Sequence, residues 1–483
     1  MSSISFANIG SLVTNDETMK IIPVLAAEIP TTENGAVIVR ADGGMDVTWK
    51  LRPGVKWHDG VPHTSADVKF TVDAINKGDW KPESVDGFDR IASVDTPDSL
   101  TAVVHYKEVY APYQLQFVRG TLPKHVLEGR DLNTANDYNR APLGTGPYKV
   151  KEWKTGEYIL LERAEGYWRG PQYPKIKQLL FRFLTNTTTR INLLKSGEVH
   201  MVALVAWDKV RELESMASLQ MNRVVGNGYE HVTLNQKHFT PFADVKVRQA
   251  LAHAVNRDLL VRTILDGQVE VVNGPIQPLS AAYEPQVPTY GFDPVRARAL
   301  LTEAGWVPGA DSIRMKDGKR LAFTLITQSG FAIRENVSQA LQQAFRDVGA
   351  EMTVKLLDGT TISSVWFSGD FDAMLHWWQM GADPELTLFF AGDRMPPAGR
   401  NINYVNDAEL SALLYRSDRT ADVAQRNVLL REAQRRIAAL APEIVLYNTA
   451  KVDAVPRSLR GFTGNPTNAG PFWNVYQWEI GTP

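Results

Sequence analysis

The chain has 483 residues, 44% hydrophobic and 22% charged, which is long enough for two or three folded domains and too apolar for disorder. Its 52 basic and 54 acidic residues leave a net charge of −2, with no long Lys/Arg run and no basic amphipathic helix, which argues against nucleic acid and anionic membrane as partners. There is no cysteine, so thiol catalysis, thiolate-bound zinc and iron–sulfur clusters are excluded. No apolar run reaches the roughly 20 residues needed to span a bilayer. Residues 437–447 come nearest, interrupted by Pro442 and Glu443. The opening MSSISFANIG has neither a basic start nor a long apolar stretch and is not expected to be a signal peptide.

In chain order, Val47, Trp49 and Leu51 alternate with Thr48 and Lys50, the period of a half-buried strand. Arg52-Pro53-Gly54 predicts a turn, residues 55–57 extended chain, and Asp59-Gly60 a second turn. Thr64, three residues before Asp67, predicts a capped helix running to about Lys77 and stopped by Gly78. Residues 158–161 and 179–184 read as strands, and 188–196 as a helix ended by Gly197. Val247, Leu251, Ala254, Val255, Leu259 and Ile264 fall at helical spacing and predict one amphipathic helix stopping near Gly267. Asp293 before Pro294 starts another, closed by Gly305. Strands at 321–326, 352–356 and 371–376, with a helix at 334–348, follow the grammar of a parallel sheet. Helices at 407–416 and 421–440 then precede a short strand at 444–447.

Searching for catalytic chemistry yields little. No G-x-S-x-G, P-loop or H-E-x-x-H occurs, and Gly144-Thr145-Gly146 fails the dinucleotide pattern because Lys149 replaces the third glycine. Gly144-Thr145-Gly146-Pro147 is therefore expected to be a tight structural turn. His58 and His63 do not share a helix face as metal ligands would, and are expected to be surface-turn histidines. Asp370 and Asp372 could be drawn as a hydrolytic pair, but Asp372 is expected to be a strand-end carboxylate.

The segment WKLRPGVKWHDGVPHTSADVKF (49–70) resembles the signature region of the family 5 solute-binding proteins, the dipeptide, oligopeptide and nickel receptors of ABC importers. The resemblance continues through LGTGPYKVKEW (143–153), LERAEGYWRGP (161–171), KSGEVHMV (195–202), FADVKVRQALAHAVNRDLLV (242–261), DPVRARALLTEAGW (293–306) and GDFDAML (369–375), in the family's order. It implies an α/β, two-lobed periplasmic-binding-protein-like fold with a hinge and an extra N-terminal α+β subdomain. On that basis residues 1–140 are expected to form the subdomain, 141–239 with 456–483 lobe I, and 240–455 lobe II. Relatives carry several dozen residues before the segment matching 10–13, including a secretion signal and the first strand of the first lobe. Either truncation or a lobe built without that strand is therefore expected.

The family further implies a monomer without cofactor or metal, acting in the periplasm or on the outer face of the membrane. Its partners would be a peptide or other small polar solute and the permease subunits of the transporter. Trp377, Trp378 and Gln379 follow the strand expected at 371–376, where ligands of parallel sheets bind. A tryptophan there offers an apolar face and an N–H donor, and family position agrees. Peptide-binding relatives place an aspartate about three residues after the loop's tryptophan to hold a free amine. Here that position is Gly381, with Asp383 two residues later. Asp383 before Pro384 is expected either to aim a carboxylate at a cationic group or to cap a helix at 386–390. On the other lobe, family position points to Tyr229 and Asn235, the latter with a turn-forming alternative. The expected function is a non-catalytic receptor closing on a small polar solute, most readily a peptide. Opine, oligosaccharide or nickel-complex cargo, a hydrolase, and an orphan scaffold are the alternatives.

Overall fold

The computed structural model describes residues 2–80 and 87–481. It divides into two compact units. The first comprises Met1–Val224, Asp418–Val423 and Lys451–Pro483; the second comprises Val225–Ser417 and Ala424–Ala450. Residues before and after 140 share the first unit, and the boundaries between the units fall at 224/225, 417/418, 423/424 and 450/451.

In the first unit, the alternation around Trp49 becomes the strand Met45–Lys50, with Met45, Val47 and Trp49 buried. It pairs antiparallel with Val37–Val39 on one side and Thr101–Tyr106 on the other; Ile91–Asp98 completes the four-stranded sheet. Turns at Gly54 (φ 78°) and Gly60 (φ 91°) lead into the helix Ser65–Asn76. Asp67 anchors this region. Its carboxylate accepts the Thr64 N–H at 2.9 Å, the Lys124 N–H at 2.9 Å and the Trp57 indole N–H at 3.3 Å. The helix seals a core built on Trp49, Val68, Val104, Tyr106, Tyr113 and Phe117. A second sheet, Tyr148–Lys154, Tyr158–Arg163 and Gln178–Arg182, is antiparallel throughout.

The turn at Gly144–Pro147 is structural. A Cβ on Gly144 would stand 1.9 Å from the Asn8 carbonyl oxygen, so only glycine permits that approach. His58 braces the same turn, its Nε2 2.9 Å from the Gly146 oxygen, while its Nδ1 accepts the Gly144 N–H at 3.3 Å. His63 is not at the surface: it is buried, 3.0 Å from the Thr121 hydroxyl, and burial pushes its imidazole down to about 4.

The second unit holds Glu351–Leu357, Ala322–Gln328, Ala373–Gln379 and the parts of Leu219–Leu234 from Val225 and of Glu443–Pro456 up to Ala450, paired in that order as a mixed sheet. The first three are parallel, as their alternation with helices predicts, but Leu219–Leu234 enters antiparallel to Ala373–Gln379. Three further differences from expectation have local causes. The helix predicted from Val247 to Ile264 is two, Val245–Ala254 and Arg257–Thr263, because the Asn256 side chain accepts the Leu259 N–H at 3.0 Å and starts a new helix. The strand expected at 371–376 runs Ala373–Gln379, carrying both tryptophans inside it. The short strand expected at 444–447 is the 14-residue strand Glu443–Pro456. Asp372 accepts the Thr324 N–H at 2.8 Å and, with Asp370, brackets His238 at 2.8 and 3.0 Å.

The core of this unit is polar at its centre. Tyr229, His231, Thr233, His376 and Trp378 share one face of the sheet by strand alternation and register. The Tyr229 hydroxyl donates to Glu443 Oε1 at 2.8 Å, and His231 Nε2 lies 3.4 Å from the other carboxyl oxygen. The Thr233 hydroxyl bridges to His376 Nε2 at 2.8 Å. Desolvation raises the Glu443 carboxyl to about 8, against the opposing pull of Tyr229 and Asn403. Desolvation also drops His376 to about 3, and His231 well below the ordinary imidazole range. Burial thus favours the neutral form of each of these three groups.

Two predictions follow from this architecture. Asp67→Ala strands three donors, and should cost roughly 2–4 kcal/mol of unfolding free energy in denaturant titrations; Asp67→Asn, which keeps an acceptor oxygen, should lose less. For Glu443, the folded protein holds a proton up to about pH 8 that the unfolded chain releases near 4.5, so stability falls as pH rises through that window. His376 acts oppositely, between about 3 and 6.5. The Glu443 slope, at most about 1.4 kcal/mol per pH unit, should thus emerge between pH 6.5 and 8, and Glu443→Gln should flatten it in melting curves.

Candidate ligand-binding site

The carboxyl end of Ala373–Gln379 carries the candidate site, and register decides which side chains it offers. Tyr229 stands opposite Trp378, Glu230 opposite Trp377, and Gly228 opposite Gln379. Directly opposed side chains lie on one face, so Trp377 and Glu230 go together and Trp378 and Tyr229 go together on the other. Trp378 is 9% exposed and packs against Phe389 at 4.7 Å, His376 at 4.7 Å and Trp366 at 5.9 Å between ring centroids. Trp377 is 45% exposed. One indole is core and the other is surface.

Beside Trp377 sits a closed charge pair. Arg334, on the helix Ala332–Arg346, donates from Nε to Glu230 Oε1 and Oε2 at 3.2 and 3.1 Å and from Nη2 to Oε1 at 2.7 Å. Both side chains are 11% exposed. The Arg334 guanidinium also lies 5.1 Å from the ring of Phe331, which is 48% exposed. Strand register sets the exposed Trp377 beside Glu230, and the cation–π contact sets the exposed Phe331 against Arg334, so a neutralised and largely desolvated ion pair neighbours both rings. Such a surface favours flat, polar, uncharged groups such as amide planes, which stack on rings without requiring a counter-ion.

The loop beyond the strand is fastened by Asn227. Its Nδ2 donates to the Met380 and Gly381 carbonyls at 3.0 and 2.6 Å, and its carbonyl accepts the Met380 N–H at 2.9 Å. On either side of Asn227, Gly226 and Gly228 let the chain run close to Thr449, where a Cβ would stand 2.4 Å from its carbonyl oxygen or 2.7 Å from its hydroxyl. Asp383 is bound within the unit, where it forms an ion pair with the buried Arg426, and no bond from its side chain caps the helix Thr387–Phe390.

Tyr229 and Asn235 are both fully buried. Tyr229 is engaged by Glu443. Asn235 donates to the Gly369 carbonyl at 3.0 Å while its Oδ1 accepts the Lys237 and His238 N–H groups at 3.1 and 3.0 Å, the turn-forming arrangement. Gln379 is half-buried, on the same strand face as Trp377. The structure therefore brings Trp377, Gln379 and Glu230 together, and sets Trp378 and Tyr229 behind them. Glu230, Arg334, Phe331 and Asn227 were missed by motif reading. Phe331 and Arg334 lie 43 or more residues before Trp377, at the start of the helix Ala332–Arg346, and reach it only through Glu230, which Arg334 binds and which stands opposite Trp377. Among the described residues, no group of three or more His, Asp or Glu side chains is placed to hold a metal ion, and no helix is long and apolar enough to cross a membrane.

Comparison with known proteins places this geometry. The chain is 29% identical over 456 residues to the oligopeptide-binding protein AppA of Bacillus subtilis, covering 92% of this chain and 82% of that protein. The solved structure of AppA in complex with a nonapeptide superposes with a TM-score of 0.81 at 26% identity, covering 100% of this chain and 94% of that one. The glutathione-binding protein GsiB of Pectobacterium atrosepticum is 27% identical over 457 residues, covering 92% of this chain and 84% of its own. NikZ of Campylobacter jejuni, solved in complex with Ni(L-His), gives a TM-score of 0.82 at 26% identity, covering 98% and 93%. These neighbours have the two-lobed binding-protein fold that the sequence leads one to expect. Residues 20–393 match the profile of the bacterial extracellular solute-binding proteins, family 5, and the chain belongs to that family.

Proposed function

We propose that this protein is the solute-binding receptor of an ABC importer and that its cargo is a peptide. The observation that carries the reading is the exposed Trp377, in register with Glu230, whose closed pair with Arg334 lies against the exposed Phe331. Its chemistry suits the amide planes of a peptide backbone. Because Arg334 is engaged by Glu230, and Asp383 by Arg426, neither a free carboxylate nor a free amine is the main handle. AppA and GsiB, which bind oligopeptide and glutathione, support the cargo class.

In this reading Trp377 and Gln379 touch ligand, while Trp378, Tyr229, Asn235 and Asp383 hold the contact surface in place. Residues 1–140 form an accessory subdomain. The receptor works as a monomer outside the cytoplasmic membrane, without catalysis. The ligand shifts an open–closed hinge equilibrium by its greater affinity for the closed form, and the closed form is what the permease recognises.

Calorimetric titration tests this against di- to nonapeptides, opines, oligosaccharides and nickel–histidine. Saturable peptide binding is expected; binding of another class alone, or turnover of any cargo, would overturn it. Trp377→Ala should weaken peptide affinity about tenfold or more while leaving the melting temperature nearly unchanged. Trp378→Ala should mainly lower the melting temperature, since it opens a cavity in the core.

A further inference from the structure

The first unit contains a small, partly open cavity of about 40 Å³ that belongs to no part of the site described above. Three polar groups line it without hydrogen-bond partners: the hydroxyls of Thr14 and Thr145 and the Nε of Arg169. Thr14 and Thr145 are 5% and 2% exposed. Gly10 makes room for one of them, since a Cβ there would stand 2.3 Å from Thr145 Oγ1. Arg169 is held in place by rings, its guanidinium 4.3 Å from the centroid of Trp168 and 4.6 Å from that of Tyr476. Its other side-chain contact is with Tyr167.

Charge is what distinguishes this cavity from an ordinary buried-water site. Among the described residues, no carboxylate lies within ion-pair distance of Arg169, nor of Arg52, whose guanidinium lies 4.9 Å from the centroid of the same Trp168 ring. Arg52 is spent on backbone, donating to the Val24 and Ala26 carbonyls at 3.0 and 3.5 Å. Two guanidinium groups therefore share one indole without a counter-ion. A buried donor left unsatisfied costs about 1–3 kcal/mol, and more when charged. Arg169 is half-buried with its Nε turned away from solvent; water could accept from that Nε, and an anion would in addition answer the guanidinium charge. Both hydroxyls can turn their protons toward it. The volume is several times the roughly 10–15 Å³ that one water requires, enough for a monatomic anion and too small for a peptide. An open groove of about 580 Å³, lined by Arg52 among others, shares Trp168, Arg169 and Tyr476 with the cavity.

We propose that this cavity is a halide-sized anion site, in which Arg169 Nε and the Thr14 and Thr145 hydroxyls bind chloride. It stands independently of the cargo reading, because it uses none of the same residues. Two measurements on the full chain test it. The first compares melting in sodium chloride and in sodium gluconate, an anion too large for the cavity, at equal ionic strength. Chloride should raise the melting temperature of the wild type by about 2 °C, the effect of a few-fold excess over Kd, and should have no such effect on Thr145→Val or Arg169→Gln. Equal melting of the wild type in the two salts would overturn the proposal. The second grows wild-type crystals in bromide. An anomalous peak within hydrogen-bonding distance of Arg169 Nε supports the site, even if neither variant folds, and a cavity holding only water refutes it.

Discussion

The antiparallel register between Leu219–Leu234 and Ala373–Gln379 is the constraint on which the rest depends. A slip of one residue would send every side chain of one strand to the opposite face. Trp378 would leave its packing against Phe389 and Trp366, Tyr229 would lose Glu443, and Glu230 would swing away from Arg334. The register is pinned from both directions. On one face the rings of Trp378, His376, His231 and Tyr229 interlock, with His231 and His376 4.3 Å apart. At the strand ends, Asn227 holds Met380 and Gly381, and Gly228 alone can sit against the Trp378 carbonyl, 2.6 Å from where a Cβ would stand.

This arrangement buries groups that a stability-driven core would avoid. An ion pair removed from water is seldom better than an apolar replacement, although breaking one partner is costly. Glu230–Arg334 adds no net charge and fixes two neighbours of the exposed face, one in register and one stacked on the guanidinium. The Tyr229–Glu443 bond plays the same part behind Trp378. Polar groups that can bond in only one geometry make a rigid backing, and a rigid backing keeps an exposed indole in position to meet a ligand.

Much of the fold was legible in the sequence where local signals agree. Thr64 with Asp67, Asp293 before Pro294, and glycines at positive φ such as Gly197 and Gly305 all mark real boundaries. The parallel strands were legible from their alternation with helices. Breaks that rest on one side chain were not: Asn256 interrupts a hydrophobic stripe that remains periodic across the interruption. The strand expected to stop at His376 runs on because its last residues pair with Glu230, Tyr229 and Gly228, 147 or more residues earlier, which no local pattern reports. The aromatic pair was legible as a site candidate, but only the register tells which indole faces out. Asp383 illustrates the remaining gap, since it lies in a loop and Arg426, its partner, lies 43 residues away on the helix Val423–Leu440.

The division of labour between the two adjacent indoles is open to direct measurement by oxidative footprinting, read residue by residue with mass spectrometry, with and without a peptide shown by calorimetry to bind. The account requires Trp377 to be reactive in the free protein and protected when peptide is bound, with Trp378 unreactive in both states. Trp377 oxidised equally in the free and peptide-saturated protein, or Trp378 protected in its place, would contradict it.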